Sequence, residues 1–381
     1  MLAKRAVYDT DHEQFRDAVR GFIKAEITPY FEAWEAAGKV DRRFWSAGGA
    51  AGLLCPQLPE QYGGPGGSFK HNAIVVEEIA YAGYAGPMTD YSVHSDVCAG
   101  YILNAGSEEQ KQKWLPRMVS GETVCAIAMT EPGTGSDLQG IRTRAVRDGD
   151  VFRINGAKTF ISNGQHCDLV ILVARTNDMP GSRGMSLILV ETDRPGFRRG
   201  RKLDKLGLLS SDTSEMFFDD LEVPVSNLMG VEGSGFATLM TELPQERLII
   251  GVQSIAAAQR AFDITRDYVR SRKAFGKPVA EFQNTRYKLA DLKADLLVGW
   301  AFVDQCLEKH VRGELSALDA STAKLWCTEM HGRVVDACVQ LHGGYGYMRE
   351  YEICRLYADA RVLRIYGGTS EIMRELISRN L

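Results

Sequence analysis

The sequence lacks the glycine-rich loops with which many enzymes bind nucleotide phosphates. Residues 133–138 run Gly-Thr-Gly-Ser-Asp-Leu, so Leu138 stands where a dinucleotide-binding fingerprint needs its third glycine. Residues 276–278 run Gly-Lys-Pro, so Pro278 stands where a Walker loop needs Ser or Thr. These absences argue against a nicotinamide-dependent Rossmann enzyme and against nucleotide hydrolysis.

Paired cysteines and long apolar runs are also missing. The eight cysteines form no Cys-x-x-Cys pair, which gives zinc sites and thioredoxin-type chemistry little support, and we expect buried, reduced thiols. No apolar run approaches the roughly 20 residues that cross a bilayer, and the N-terminus has no apolar signal core. We therefore expect a cytoplasmic protein, or a mature organellar form if a leader has been removed.

Length and charge restrict the function further. A chain of 381 residues is long enough for two or three domains at roughly 150 residues each. The net charge of −4 and the pI near 6.0 give no electrostatic reason to expect nucleic acid or an anionic membrane as partner. Hydrophobic residues at 45% and charged residues at 25% are ordinary for a soluble globular protein.

The order of local patterns predicts a mainly α protein with a middle β domain. Residues 1–120 favour helices, with Ser107 and Gln110 spaced as a capping box. Residues 121–230 favour short strands, including a hairpin after Asp148-Gly149. Residues 231–381 return to long helical patterns of the kind that pack as a bundle. This order excludes a doubly wound sheet, in which strands and helices alternate.

Five strings of the sequence are informative together. Residues 127–137, Ile-Ala-Met-Thr-Glu-Pro-Gly-Thr-Gly-Ser-Asp, form a strand-like run into a turn whose free N–H groups and hydroxyls suit a polar or anionic ligand. This string resembles the signature of the acyl-CoA dehydrogenase family. Residues 160–164, 272–277, 340–344 and 366–371 match the family in the same order. Within that family, the sequence resembles the long-chain type most.

The resemblance implies a fold, a cofactor and an assembly. The expected fold has an N-terminal helical domain, a middle domain built as a β-barrel or sandwich, and a C-terminal four-helix bundle, with subunits assembled as a homotetramer. The expected cofactor is FAD. The residues that the resemblance assigns to FAD are Ile127, Met129, Thr130, Ser136, Phe160, Ser162, Arg272, Phe275, Gln283, Gln340, Gly343, Gly344, Thr369 and Glu371.

Within this set the resemblance implies different roles. Thr130 and Ser162 are expected to hydrogen-bond the flavin ring. Arg272 and Phe275 are expected to reach the diphosphate and the adenosine across a subunit boundary. Gln283, Gln340 and Gly344 are expected to line the same dinucleotide site. Thr369 and Glu371 are expected to close it. From the residues alone, Thr369 is a suitable N-cap for the last helix.

The expected catalytic base is displaced from its usual position. Most family members carry Glu at the place of Gly367, whereas a minority carry the base at the place of Glu246. A carboxylate can remove the weakly acidic α-proton of a thioester if desolvation raises its pKa. We expect Glu246 at the start of a bundle helix. The substrate contacts implied by the resemblance are Ser136, Pro244, Arg247, Gly367 and Gly368.

The resemblance also implies a role for the backbone N–H of Gly367, which needs no side chain. In the family the backbone N–H at this place holds the thioester carbonyl, and glycine keeps that N–H. Glycine would also leave space for a carboxylate from another element. Without the resemblance, Gly367 is a helix-entry glycine and Glu246 is a surface residue.

The resemblance therefore predicts FAD-dependent α,β-dehydrogenation of a fatty acyl-CoA to the trans-2-enoyl-CoA. Electron-transfer flavoprotein is the expected electron acceptor, and an oxidase is a neighbouring possibility. Pro244-Gln245 favours the long-chain type, whereas Ala237 weakens that assignment. A branched, isovaleryl- or citronellyl-like acyl-CoA remains an alternative. A flavin-free or non-catalytic acyl-CoA-binding relative is another.

Overall fold

The computed structural model describes residues 2–381 and contains helices at both ends of the chain with strands between them. The N-terminal helices are α1 (Thr10–Phe22), α2 (Phe31–Ala37), α3 (Arg42–Ala50), α4 (Phe69–Tyr81), α5 (Ala85–Ser92), α6 (Ala99–Ala105) and α7 (Glu108–Val119). The main strands are β1 (Cys125–Ala128), β2 (Arg144–Asp148), β3 (Val151–Ser162), β4 (Leu169–Arg175), β5 (Met185–Glu191), β6 (Phe197–Lys202), β7 (Thr213–Pro224) and β8 (Leu228–Met229).

The C-terminal region is helical apart from one short hairpin. Its elements are α8 (Gly235–Ser271), β9 (Lys273–Ala274), β10 (Lys277–Pro278), α9 (Gln283–Val311), α10 (Ala317–His342), α11 (Glu352–Ala360) and α12 (Ser370–Ser378). The long helices α8, α9 and α10 pack on one another, and α11 and α12 pack against α10. The predicted fold class is confirmed, while the domain boundaries at residues 120 and 230 stay a prediction.

The local signals that the sequence offered form the elements they indicated. The Ser107 side chain caps α7, and the Gln110 side chain binds back to the Ser107 N–H, so the capping box is present. Gly149 adopts φ +61° and connects β2 to β3, which pair antiparallel. A left-handed residue in such a turn matches the twist of the two strands.

The middle region is one eight-stranded sheet packed against the helices. Strand order is β6-β7-β3-β2-β4-β5-β8, with β1 parallel to β4. Both faces of β4 are buried: Leu169, Ile171 and Val173 join the core shared with the helices, and Val170 and Leu172 join the core of the sheet. Because side chains alternate along a strand, this one apolar run joins the two cores.

All eight cysteines are free thiols, and seven of them are buried, as expected for packing residues. Across residues 2–381, every helix is too short or too polar to span a lipid bilayer.

A buried ionic cluster ties the N-terminus to both helical regions. The Glu77 cluster comprises Arg5, Tyr8, Arg16, Glu77 and Asp304. Glu77 on α4 is inaccessible to solvent, accepts a hydrogen bond from the Tyr8 hydroxyl at 2.7 Å, and lies 3.0 Å from Arg16 Nη1. Arg5 pairs with Glu77 and, at 3.0 Å, with Asp304 on α9. Removing Glu77 would leave two cations buried without their shared anion.

We predict that Glu77→Gln destabilises the protein by about 3–5 kcal/mol, the usual cost of breaking a buried ion pair. Thermal and urea unfolding followed by circular dichroism measure the change. Glu314→Gln is the matched control, because the Glu314–Arg312 pair is exposed and an exposed pair contributes only about 0–1 kcal/mol. Equal effects of the two substitutions would contradict the structural role of the cluster.

Candidate active site

Glu246 lies inside α8, not at its start. The helix begins at Gly235 and continues through Pro244 to Ser271. The expected helix start was wrong because proline is typical of a first helical turn. Packing of α8 against α4, α9 and α10 carries the helix through a residue that removes one backbone hydrogen bond. Pro244 is half-buried and precedes Glu246 by two residues on the same helix.

The Glu246 carboxyl is buried against α6. Glu246 is only 8% exposed, and its Oε1 accepts a hydrogen bond of 2.7 Å from the Tyr101 hydroxyl. Burial raises the pKa of Glu246 to about 7, although the Tyr101 hydrogen bond and the charge of Arg247 act to lower it. A carboxyl with such a pKa can both take and release a proton near neutral pH.

A second carboxylate lies one helical turn before the first. Glu242 is also buried, and its Oε1 accepts a hydrogen bond of 2.9 Å from Asn104 on α6. Burial raises the pKa of Glu242, and its negative charge adds to the rise in the pKa of Glu246. Gly100 faces Glu242: a Cβ added there would lie 3.3 Å from Glu242 Oε2.

Two cations, Arg247 and Lys324, are buried near each other. Arg247 is 6% exposed, and its guanidinium makes no hydrogen bond or ion pair with any of residues 2–381. Lys324 on α10 is inaccessible, and its Nζ donates to the Gly368 carbonyl at 2.6 Å. Burial, with the nearby charge of Arg247, lowers the pKa of Lys324 to about 8. A buried guanidinium without a protein partner is suited to an anionic or carbonyl-bearing ligand.

The turn that precedes α12 is held to the bundle by two hydrogen bonds. The Tyr366 hydroxyl donates to Gln253 Oε1 on α8 at 2.8 Å, and Lys324 holds Gly368 as described. Between these anchors, Gly367 adopts φ +63°. Within the described part of the chain its N–H donates no hydrogen bond. The turn therefore presents a fixed, free amide donor.

Gly367 does not leave the open space that the sequence suggested. A Cβ added there would lie 2.3 Å from Cδ1 of Ile250. Ile250 follows Glu246 by one turn of α8, so both side chains lie on the same face of that helix. The expectation about space was wrong, but the contact that corrects it brings the turn against the helix face that carries Glu246.

Thr369 is the N-cap of α12, as predicted, because its side chain accepts a hydrogen bond from Ile372 N–H at 3.3 Å. Glu371 is exposed in the first turn of the helix, near Arg374. The assignment of Thr369 and Glu371 to FAD stays a prediction.

A second group of candidate residues gathers where β1 and β3 run side by side. Thr159 N–H donates to the Thr130 carbonyl at 2.9 Å, and Asn163 Nδ2 donates to the Cys125 carbonyl at 3.3 Å. The two segments are therefore antiparallel neighbours. This arrangement brings together Ile127, Met129, Thr130, Phe160 and Ser162. Among residues 2–381, the hydroxyls of Thr130 and Ser162 have no hydrogen-bond partner and remain available to a ligand.

Phe160 is turned outward by an irregularity in its strand. The pairing of β3 with β7 shifts between Lys158 and Ile161, and Phe160 between them adopts φ +60°. Its side chain is 66% exposed. A bulky residue in the left-handed region is strained and commonly marks a functional site. Ser136 lies in the exposed loop after β1.

The sequence did not reveal what fixes that loop. The buried Glu131 carboxylate accepts hydrogen bonds from the N–H groups of Arg142 and Thr143 at 2.7 and 2.9 Å. It also pairs at 2.9 Å with Lys158, whose Nζ donates to the Met129 carbonyl. Glu131 and Lys158 are 27 residues apart, so local periodicity could not pair them. Their contact secures the turn after β1.

A third group lines a surface cavity of about 570 Å³ at the end of α10. Arg272, Gln340, Gly343 and Gly344 all contribute to its wall. Gln283 and Phe275 lie outside this wall, on exposed positions of α9 and the β9–β10 turn. Within residues 2–381, no hydrogen bond or ion pair connects the cavity wall to Glu246 or Gly367. In a single chain, the candidate residues of the cavity wall and those around Glu246 and Gly367 therefore form separate groups.

Comparison with known proteins gives a consistent result along the whole chain. Models of the acyl-CoA dehydrogenase N-terminal, middle and C-terminal domains match residues 9–122, 126–221 and 233–381. The rat mitochondrial long-chain specific acyl-CoA dehydrogenase is 49% identical over 379 residues, which cover 99% of this chain and 88% of that protein.

Solved structures agree with the sequence comparison. The acyl-CoA dehydrogenase of Geobacillus kaustophilus superimposes with a TM-score of 0.97 at 46% identity and covers 99% of both chains. A glutaryl-CoA dehydrogenase of Mycobacterium smegmatis, in complex with FADH2, superimposes with a TM-score of 0.91 at 29% identity over 98% of this chain and 95% of that one.

We predict that Gly367→Ala destabilises the protein by about 1–2 kcal/mol from its left-handed backbone alone. The contact with Ile250 adds to this cost, so the same substitution should be less harmful in an Ile250→Val background, which lacks Cδ1. Thermal unfolding of the single and double variants measures the coupling. Gly344→Ala is the control, since nothing lies within 4 Å of its added Cβ. Equal costs in both backgrounds would contradict the contact.

Proposed function

The chain belongs to the acyl-CoA dehydrogenase family, and from this premise we propose that it oxidises a long-chain fatty acyl-CoA to the trans-2-enoyl-CoA with FAD as cofactor. The observation that supports the proposal most directly is the buried Glu246 carboxyl, with its pKa near 7, on the helix face that contacts the Gly367 turn.

Glu246 acts as the general base in this proposal. Its carboxylate takes the α-proton of the thioester, and the desolvation that raises its pKa also makes it a stronger base than a solvated carboxylate. Arg247 and Tyr101 keep part of the population ionised at neutral pH by lowering that pKa. Glu242 opposes them, so the balance between the two effects sets the operating pH.

The Gly367 amide polarises the thioester carbonyl. Removing the α-proton places negative charge on the carbonyl oxygen, and a fixed N–H stabilises that charge more in the transition state than in the ground state. Lys324 and Gln253 hold the turn at both ends, so the amide does not have to reorganise during the reaction. Pro244, Arg247 and Gly368 would form the wall around the thioester.

The residues present fit FAD. The unpartnered hydroxyls of Thr130 and Ser162 offer hydrogen bonds to the ring, and the outward Phe160 offers an aromatic face. The Arg272 guanidinium, free of ion pairs within residues 2–381, would bind a diphosphate at the surface cavity. When bound there, FAD would supply the acceptor for the electrons that leave the substrate. The chain's own residues supply the proton transfer and the orientation.

A homo-oligomer, with the tetramer as the expected form, would complete the FAD site. Phe275 is 95% exposed at the tip of the β9–β10 hairpin, which is a costly place for an aromatic side chain unless a ligand or another subunit covers it. A neighbouring copy could bring this hairpin to the flavin side of the site. Ser136 would lie at the CoA end of the pocket.

Electron-transfer flavoprotein is our proposed physiological acceptor, and oxygen is the alternative acceptor. The compartment stays a prediction: the rat relative is mitochondrial, whereas this sequence led us to expect a cytoplasmic protein. The branched acyl-CoA substrate also remains an alternative to the straight long chain.

The substrate assignment is tested by anaerobic titration of the FAD-loaded protein with acyl-CoA thioesters of graded length and branching. We expect long straight-chain thioesters to bleach the flavin absorbance most completely at equal concentration, because the proposal places them in the acyl pocket. Bleaching by branched thioesters alone would shift the assignment to the alternative. No bleaching by any thioester would refute the dehydrogenase proposal.

The base assignment is tested by Glu246→Gln, which removes the proton acceptor while preserving the shape of the side chain. We expect the variant to retain FAD and to lose activity by about 100- to 10,000-fold, the usual contribution of a general base. In the wild type, kcat/KM should rise with pH through a midpoint near 7, because Glu246 must be ionised to act. Glu314→Gln, at an exposed position outside the proposed site, is the control and should preserve this profile. A fully active Glu246→Gln would place the base elsewhere.

A further inference from the structure

We propose that Tyr101 is the positioning residue for Glu246: its hydroxyl holds one carboxylate oxygen so that the other faces the substrate's α-carbon. This inference rests on the proposed function and deepens it. Tyr101 lies on α6, belongs to a different region of the chain from Glu246, and is separated from it by 145 residues.

The two oxygens of the Glu246 carboxylate have different surroundings. Oε1 accepts the 2.7 Å hydrogen bond from Tyr101, whose side chain is inaccessible to solvent. Oε2 accepts no hydrogen bond from any of residues 2–381, and it is not sealed in the interior as an unsatisfied atom. The oxygen without a hydrogen-bond partner is therefore also the one that is not completely sealed from the surface, and it is the oxygen that can take a proton.

The Tyr101 hydrogen bond supplies an orientation that the glutamate side chain lacks by itself. The last torsion of a glutamate side chain has a broad energy profile, so an unrestrained carboxylate rotates freely. Proton transfer requires the accepting oxygen within hydrogen-bond reach of the donor atom. A donor fixed on another helix selects one orientation of the carboxylate before substrate binds.

Other hydrogen bonds join the elements that carry Tyr101 and Glu246. Gln245 Nε2 donates to the Asp96 carbonyl at 2.6 Å, and Asn104 Nδ2 donates to Glu242 at 2.9 Å. With the Tyr101–Glu246 bond between them, three hydrogen bonds join α8 to α6 and the π-helical segment Val93–Cys98. Loss of the central bond alone leaves the outer two, so the helices should stay in place.

A phenol is suited to this position because it donates without carrying charge. Burial and the neighbouring carboxylate raise the pKa of Tyr101 well above its ordinary value, so it stays protonated throughout the working range. The other titratable groups that act on Glu246 are Arg247 and Glu242 on α8. Burial raises the pKa of the Cys98 thiol, at the end of the π-helical segment, and the charge of Glu246 adds to that rise. None of these three donates a hydrogen bond to the Glu246 carboxylate.

Tyr101→Phe tests the inference, because it removes only the hydroxyl. We expect full FAD content, little change in KM for a long-chain acyl-CoA, and a fall in kcat at pH 7 of about 10- to 100-fold, as for loss of one hydrogen bond to a charged group. The acid limb of the kcat/KM profile should move to higher pH, since the bond favours the ionised carboxylate. Part of the lost activity should return as the pH is raised.

Tyr91→Phe is the matched control. Tyr91 is equally buried on the neighbouring α5, and its hydroxyl makes no hydrogen bond to Glu246. We expect this variant to keep the wild-type rate and pH profile. A Tyr101→Phe variant that loses FAD or thermal stability to a much greater degree than Tyr91→Phe would overturn the inference, because Tyr101 would then be a structural residue.

Glu246→Gln separates failure of this inference from failure of the proposed function. If Tyr101→Phe keeps the wild-type rate and pH profile while Glu246→Gln is inactive, the positioning role is refuted and the base assignment stands. If Glu246→Gln is fully active, the base assignment itself is wrong.

Discussion

Burial of the Glu246 carboxylate is the constraint around which the rest of the site is arranged. A rise in its pKa from 4.5 to about 7 corresponds to about 3 kcal/mol of bias against the ionised form. A carboxylate left in such surroundings without compensation would simply stay protonated. Tyr101 and Arg247 supply that compensation only in part. The incomplete balance leaves a group that changes protonation near neutral pH, which a fully paired ion would not do.

Helix α8 converts this local property into a geometry. Glu246, Ile250 and Gln253 follow one another at intervals of four and three residues, so they form one stripe on the helix. Ile250 contacts the Gly367 position, and Gln253 binds Tyr366 beside it. Helix α8 therefore positions both the Glu246 carboxylate and the Gly367 amide. Contacts of α8 with α4, α9 and α10 accompany a helix that continues through Pro244.

Sequence patterns predicted those features whose causes are local. The Ser107 capping box and the Gly149 hairpin each depend on residues close together in the chain. The start of α8 was wrong because tertiary packing overrode the local meaning of Pro244. The Tyr101–Glu246 and Glu131–Lys158 contacts join distant residues whose spacing carries no periodic signal. The family resemblance identified many candidate site residues, but it did not reveal the contacts that hold them in position.

The two tasks that a glutamate at position 367 could combine are divided here between two elements. In this chain the left-handed backbone at Gly367 and the contact with Ile250 both favour glycine, independently of where the base lies. The amide role needs no side chain, so nothing is lost from it. The division lets each function be adjusted separately. Contacts between α6 and α8 set the pKa of the base, whereas Lys324 and Gln253 set the position of the amide. A change at Tyr101 should therefore alter proton transfer while leaving carbonyl polarisation intact, and this independence follows from the separate anchoring of the two groups.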